Sequence, residues 1–204
     1  MTNKEKMLSG RLYLVNDSEL KLMFNNARKL LFKFNKTHLS NFKKRTKLAK
    51  KLFGSLGENA VINSPLFVDY GENIHIGDNF YTNFNTTLLD VNTITIGNNV
   101  MFGPNVAIYT AGHPIDKDVR NSGLEFGYPV KIGNNVWIGG NVVINPGVTI
   151  GNNVIIGAGS VVTKDIEDNV IAFGNPCIVH RKINDEDHKT WKQAQEDYYK
   201  TITK

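Results

Sequence analysis

The chain has 204 residues, the size of one domain with a small appendage. Lys plus Arg number 24 and Asp plus Glu 19, a net charge of +5, and hydrophobic residues at 41% exclude a disordered or fibrous chain. No apolar run reaches the roughly 20 residues of a membrane span, and the single cysteine, Cys177, excludes a disulfide framework or multi-thiolate metal site.

The opening MTNKEKMLSG is polar, with no apolar stretch behind it. No cleaved secretion signal is expected, and a reducing cytoplasm is the expected compartment. Composition divides the chain into three parts, residues 1–58, 59–182 and 183–204. In the first, Leu20, Met23, Phe24, Ala27, Leu30, Leu31 and Phe34 recur at three- and four-residue steps. That stripe predicts an amphipathic helix, with Asp17 or Ser18 as its N-cap. A second helix is predicted from Ser40, with Phe42, Ala49, Leu52 and Phe53 facing inward and Gly54 or Gly57 ending it. The basic run from Lys43 to Lys51 has no aromatic interleaving and reads as a solvated helix face rather than a nucleic-acid surface.

The middle part repeats in sixes. From Ile132 the lines are IGNNVW, IGGNVV, INPGVT, IGNNVI, IGAGSV and VTKDIE. The first column holds Ile132, Ile138, Ile144, Ile150, Ile156 and Val162. The fifth holds Val136, Val142, Val148, Val154, Ser160 and Ile166. The phase extends upstream through Phe126, Phe102, Ile96, Ile76 and Tyr70, with an irregular stretch at Thr82–Thr93. A period of six fits neither a helix nor a sandwich. It predicts a solenoid in which each six is a short strand and a corner, and three sixes close a triangular coil of 18 residues. First- and fifth-column side chains fill the interior. Gly and Asn in columns two to four supply the tight and left-handed corners. The helical segments at the two ends are the expected caps over exposed strand edges. The last part, with Trp191, Tyr198 and Tyr199, reads as a short amphipathic helix.

One stretch breaks the pattern. TAGHPIDKDVRNSGLE, between Ile108 and Phe126, is polar and reads as an extruded loop at about residues 111–125. His113 stands where it leaves the coil. An imidazole titrates at about 6.5, so its neutral form can act as general base near neutral pH. Glu125, at the loop's return, either orients that imidazole and stabilises its protonated form or is a solvated loop acid. Cys177 reads as a small packing residue. His75 reads as structural, and His38, His180 and His188 as solvated.

These repeats resemble the hexapeptide acyltransferases, and more narrowly the maltose, galactoside and nodulation-factor O-acetyltransferases. The resemblance runs from about Met7 to Ile183. It is carried by GRLY at 10–13, FN at 34–35, DYGENIHIGDNFYTNFN at 69–85, GHP at 112–114, IGNNVWIGGNVVINPGVTIG from 132, IGAGSVVTKDI from 156 and GNPC at 174–177. It implies a mainly β fold, a left-handed parallel β-helix with an N-terminal helical segment and a short C-terminal helix. It also implies acetyl-CoA as co-substrate, no metal, and transfer of the acetyl group to a sugar hydroxyl by direct attack with His113 as base. The partner it implies is a second and third copy, as a homotrimer with active sites between subunits.

The family's positions fall here on named residues. Asp17 and Arg28 match positions implicated in sugar binding. Asp69 and Asn83 match positions contacting acceptor or thioester, and Asp90 stands beside Val91, where some relatives carry an acid. Gly140 and Ala158 match sites along the pantetheine arm, Thr163 and Lys164 a site near the nucleotide, and Arg181 a phosphate partner. Ile178 departs from the arginine that galactoside enzymes carry there. Competing readings are a non-catalytic scaffold, which the intact GHP loop argues against, a non-sugar hydroxyl acceptor, and a metal enzyme resembling the γ-class carbonic anhydrases. The last needs three histidines on adjacent coils, whereas His75 and His113 are isolated.

Overall fold

In the computed structural model, which describes residues 1–202, the middle of the chain is a left-handed parallel β-helix of about six turns. Three parallel sheets form the faces of a triangular prism. Register runs vertically through the interior: Ile76, Ile96, Ile132 and Ile150 stack on one face, Thr82, Phe102, Ile138 and Ile156 on the second, and Val68, Leu88, Ile108 and Ile144 on the third. The predicted first and fifth columns from Ile132 to Ile166 are all buried. The interior is apolar apart from Thr82, Thr86 and Ser160; the two threonine hydroxyls bond one another, and Thr86 also donates to the Asn83 carbonyl at 3.0 Å.

The corners separate two jobs that the sequence reading assigned jointly to glycine and asparagine. Left-handed backbone belongs to the fourth column: Asn99, Asn135, Asn141 and Asn153 have φ of 56°, 57°, 58° and 53°, and Gly147 has 85°. Their amides also bond from coil to coil, as in Asn79 to Asn99 at 2.9 Å and Asn99 to Asn135 at 3.1 Å. The second-column glycines have ordinary φ. They are needed because a Cβ at Gly97 would lie 2.7 Å from the carbonyl oxygen of Gly133 in the next coil. Asn99→Val is therefore expected to cost at least about 1–2 kcal/mol for the forced left-handed conformation, and Asn99→Gly much less. Chemical denaturation midpoints of the two variants check this.

The coils are not all of one length. Ile132 to Ile150 spans eighteen residues, as predicted, but Ile76 to Ile96 spans twenty. The extra two always enter at the edge between the third face and the first: Ile144 to Ile150 is six residues, whereas Val68 to Ile76 and Leu88 to Ile96 are eight. At the same edge the next coil runs from Ile108 to Ile132 and includes the extruded segment. Three enlarged corners thus lie one above another.

The predicted caps form with differences. Helix α1 (Asn3–Leu8), closed by a Thr2/Glu5 capping box, had no counterpart in the sequence reading. Helix α2 (Ser18–Lys36) is capped by Asp17, and α3 (Phe42–Leu52) by Asn41. Ala27, Leu31, Phe34, Ala49, Leu52 and Phe53 close the lower end of the prism core. Phe42, expected inward, is 66% exposed, and Arg45 takes the buried position. Its guanidinium donates to the carbonyls of Phe34, Thr37 and Ile62 and to Ser64 Oγ, and stacks on the Phe34 ring at 4.2 Å. A fixed planar donor fork can satisfy several carbonyls at a junction where a helix must meet a coil. So the basic run is solvated except at this one residue. The first prism strand, Ser55–Leu56, lies just inside the predicted 1–58 boundary.

At the other end an antiparallel strand, Ile178–Lys182, folds back on Val170–Phe173, with Ala172 and Cys177 buried in the core. That hairpin, rather than the terminal helix, closes the prism. Following α4 (Lys117–Asn121, in the extruded segment), α5 (Asp185–Ile202) has 18 residues and buries none; Trp191 is 75% exposed. No helix among the described residues is long and apolar enough to cross a membrane.

Candidate active site

The extruded segment is an ordered ribbon. Strand Ala111–Gly112 pairs antiparallel with Leu124–Gly127, and α4 turns between them. A third strand comes from the other end of the sequence: Tyr13–Leu14 pairs with Leu124–Glu125, putting Tyr13 opposite Glu125. His113 follows the outgoing strand and Glu125 lies on the returning one. Their Nδ1 and Oε1 are 3.9 Å apart, an electrostatic distance longer than a hydrogen bond. The Tyr13 hydroxyl donates to Glu125 Oε2 at 3.0 Å.

Buried polar side chains hold the enlarged corners together. Asp90, 0% exposed, accepts at Oδ1 from the backbone N–H of Asp69 (3.0 Å) and Tyr70 (2.9 Å), and at Oδ2 from Asn73 (3.3 Å). Asn92 donates to the carbonyls of Gly127 (2.8 Å), Met7 (3.1 Å) and Leu8 (3.2 Å), pinning α1 and the ribbon base to the prism edge. The Asn92 N–H donates to Thr110 Oγ1, which in turn donates to the Leu89 carbonyl. Buried groups with extra backbone to satisfy need such partners. They also explain why polar side chains of the irregular stretch such as Asp90 and Asn92 are buried.

Around the His113–Glu125 pair lie Asp69 and Arg28, with Arg28 Nη2 3.8 Å from Asp69 Oδ1 and its guanidinium over the Phe24 ring at 4.4 Å. Burial raises the Asp69 carboxyl above its usual range, Arg28 opposes that rise, and the Glu125 charge adds to it. Burial likewise pushes the Tyr70 phenol up to about 12, helped by Asp69 and Glu125. Four groups predicted from sequence, His113, Glu125, Asp69 and Arg28, therefore converge on one edge. Tyr13 was missed. Its only signal was the GRLY match, which gave no hint of its partner.

Other predicted residues sit elsewhere. Asp90, expected among the acceptor contacts, is wholly buried and faces backbone; its neighbour Asp69 carries the accessible carboxylate. Asp17 is engaged as the α2 cap, accepting from Glu19 and Leu20 N–H and from Asn3 Nδ2, and the Asn3 bond foremost lowers its pKa. Asn83, half-buried, lies at the edge between the second and third faces, one prism edge away from His113. Gly140 and Ala158 lie along that same edge, where a Gly139 Cβ would come within 2.6 Å of the Ala158 nitrogen. Thr163 and Lys164 are exposed beyond the strand Val161–Val162. Arg181, expected to grip phosphate, has its fork on Asp187 at 2.6 and 2.7 Å. His75 faces out beside Ser55 Oγ at 3.1 Å. Among the described residues no three His, Cys, Asp or Glu side chains gather as a metal-binding group.

Known families describe both parts of this architecture. Residues 6–57 match the maltose acetyltransferase hexapeptide capping motif, and residues 129–164 match six repeats of the bacterial transferase hexapeptide. The cap and the prism together define an acyltransferase of the hexapeptide-repeat class. The chain is 49% identical to the galactoside O-acetyltransferase of Escherichia coli K12, over 92% of each chain. A crystal structure of a maltose O-acetyltransferase from Clostridium difficile 630 superimposes with a TM-score of 0.89 at 55% identity, covering 90% of this chain and 98% of that one. A galactoside acetyltransferase in complex with coenzyme A gives 0.89 at 48%, covering 92% and 94%. The chain belongs to the galactoside and maltose O-acetyltransferase family of acetyl-CoA-dependent enzymes.

Proposed function

We propose that this enzyme acetylates a hydroxyl of a sugar of the maltose or galactoside kind by direct attack on acetyl-CoA, with His113 as general base. The observation that carries the reading is the His113–Glu125 pair on the one ribbon that leaves the prism. Nδ1 faces the carboxylate, which leaves Nε2 free for the acceptor hydroxyl. As that proton passes to Nε2, the sugar oxygen bonds to the thioester carbonyl carbon. The carbon–sulfur bond then breaks, and the imidazolium returns its proton to the departing CoA thiolate. A carboxylate 3.9 Å from Nδ1 favours the imidazolium formed between those steps. No acyl-enzyme is required, and Cys177 is buried in the core.

The working unit is a homotrimer with its sites between subunits. In one chain His113 is open to solvent, Ile115 beside it is 97% exposed, and Asn83, Gly140 and Ala158 lie on a different edge. A second copy would bring the two edges together and provide the missing wall. The outward residues agree. One face carries Ser55, His75, Thr95, Lys131 and Thr149, whereas another carries the stripe Val61, Tyr81, Met101, Trp137, Ile155 and Ile171. Such a continuous apolar stripe marks an interaction surface. Lys164, exposed where the chain leaves the third face, is a cation available to a CoA phosphate, and the reducing cytoplasm that suits a lone thiol is the compartment we assign.

Two measurements test this. CoA release across a panel of acceptors is expected with maltose-like or galactoside-like sugars, and turnover confined to non-sugar hydroxyls would overturn the acceptor class. Sedimentation is expected to show a species of three chains, and a monomer at micromolar protein would remove the shared site.

A further inference from the structure

We propose that Tyr13 is a positioning residue for Glu125, so that the N-terminal cap takes part in the reaction by aiming the carboxylate that faces His113. This rests on the reading of His113 as the base. The phenol donates to Oε2 at 3.0 Å while Oε1 of the same carboxylate faces the imidazole, so one hydrogen bond sets the rotation of the group that His113 sees. Tyr13 is 1% exposed and packs with Met7, Leu20, Met23, Tyr70 and Val91, whereas the Glu125 side chain is a quarter exposed on the ribbon. A buried ring therefore restrains a side chain that would otherwise sample several rotamers.

The surrounding charges make that restraint useful. Asp69 and Tyr70 face the pair from the first enlarged corner, Arg28 from α2 is drawn to Asp69, and Asp90 lies behind them. Asp69 repels Glu125, and the Tyr13 hydroxyl holds the carboxylate in place against that repulsion. Burial and the Glu125 charge raise the Tyr13 phenol well above its ordinary value, so it remains a donor wherever imidazole titrates. The two-residue strand Tyr13–Leu14, pairing in register across the ribbon, delivers this contact.

The test is a cycle of Tyr13→Phe, Glu125→Gln and the double variant, read as CoA release against pH. Tyr13→Phe is expected to lower kcat about tenfold, the scale of losing a hydrogen bond to a charged group. The KM for acetyl-CoA should be unchanged. In the Glu125→Gln background the same substitution should change kcat less than about twofold, there being no charge left to aim. Equal factors in both backgrounds, or a Tyr13→Phe enzyme with the wild-type kcat, would overturn the proposal. Should Tyr13→Phe not fold, 4-fluorophenylalanine and 4-aminophenylalanine at position 13 both fill the space of the phenol, and only the second donates a hydrogen bond. A kcat lost with the fluorine and restored by the amine, with neither change in the Glu125→Gln background, supports positioning; equal rates for the two overturn it. His113→Ala separates the two claims. If it turns over like the wild type, the base reading fails; if it is inactive while the Tyr13 and Glu125 effects multiply, only the positioning fails.

Discussion

His113→Ala is expected to reduce CoA release by at least about 100-fold, the usual scale for removing a general base and equal to about 2.7 kcal/mol of transition-state stabilisation. The imidazole is more than half exposed on the ribbon and belongs to no core cluster, so the melting temperature should stay within a degree or two of wild type. Affinity for CoA should also persist, because Asn83, Gly140 and Ala158 lie on another prism edge. The loss should fall on kcat with little change in the KM for acetyl-CoA. His75→Ala, which gives up only the Ser55 contact on an outer face, is the control and should turn over normally. Comparable turnover in wild type and His113→Ala would defeat the mechanism.

The second large effect is on stability. Asp90→Ala is expected to destabilise the fold by about 3–5 kcal/mol, since it leaves the buried N–H groups of Asp69, Tyr70 and Asn73 without an acceptor. Because those residues form the corner that presents Asp69, activity should fall with it. Asp90→Asn retains one acceptor oxygen and should lose less. Burial pushes the Asp90 carboxyl up to about 7, against the backbone N–H groups that hold it down. The folded chain therefore binds this proton more tightly than the unfolded chain, whose carboxyl titrates near its ordinary value of 3.8. Between those two values the folded state carries more protons. The contribution of Asp90 is fully present below the lower value and is lost as pH rises through about 7. Melting temperature measured from about pH 4 to 8 should show a downward slope for wild type relative to Asp90→Asn. A difference that rises with pH would refute this account of the corner.

The sheet geometry and interior were legible because a six-residue period acts locally. Ile132, Ile138 and Ile144 each occupy the same place in a six, and that place alone decides which way the side chain points. Left-handed asparagines such as Asn135 and Asn153 were legible for the same reason, although the separate duty of the second-column glycines was not. Phe42 and Arg45 were misread because a helical stripe ranks residues by hydrophobicity. At this junction the unsatisfied carbonyls of Phe34, Thr37 and Ile62 outweigh the burial of a ring. Asp90 was misplaced for a related reason: a carboxylate in a polar stretch looks like a ligand group until the donors around it are known. The terminal helix was read as a cap because it is amphipathic, yet within one chain the hairpin at Ala172–Cys177 already fills that end.

What the sequence determined by itself was the solenoid, the residues lining it and the point at which a histidine leaves it, all consequences of spacing between near neighbours. Folding decided that three lengthened corners share one edge, that Asp69 rather than Asp90 faces outward, and that Tyr13 meets a carboxylate 112 positions away. Those outcomes depend on which backbone donors are left buried and on which distant strand reaches them, and no local period encodes either.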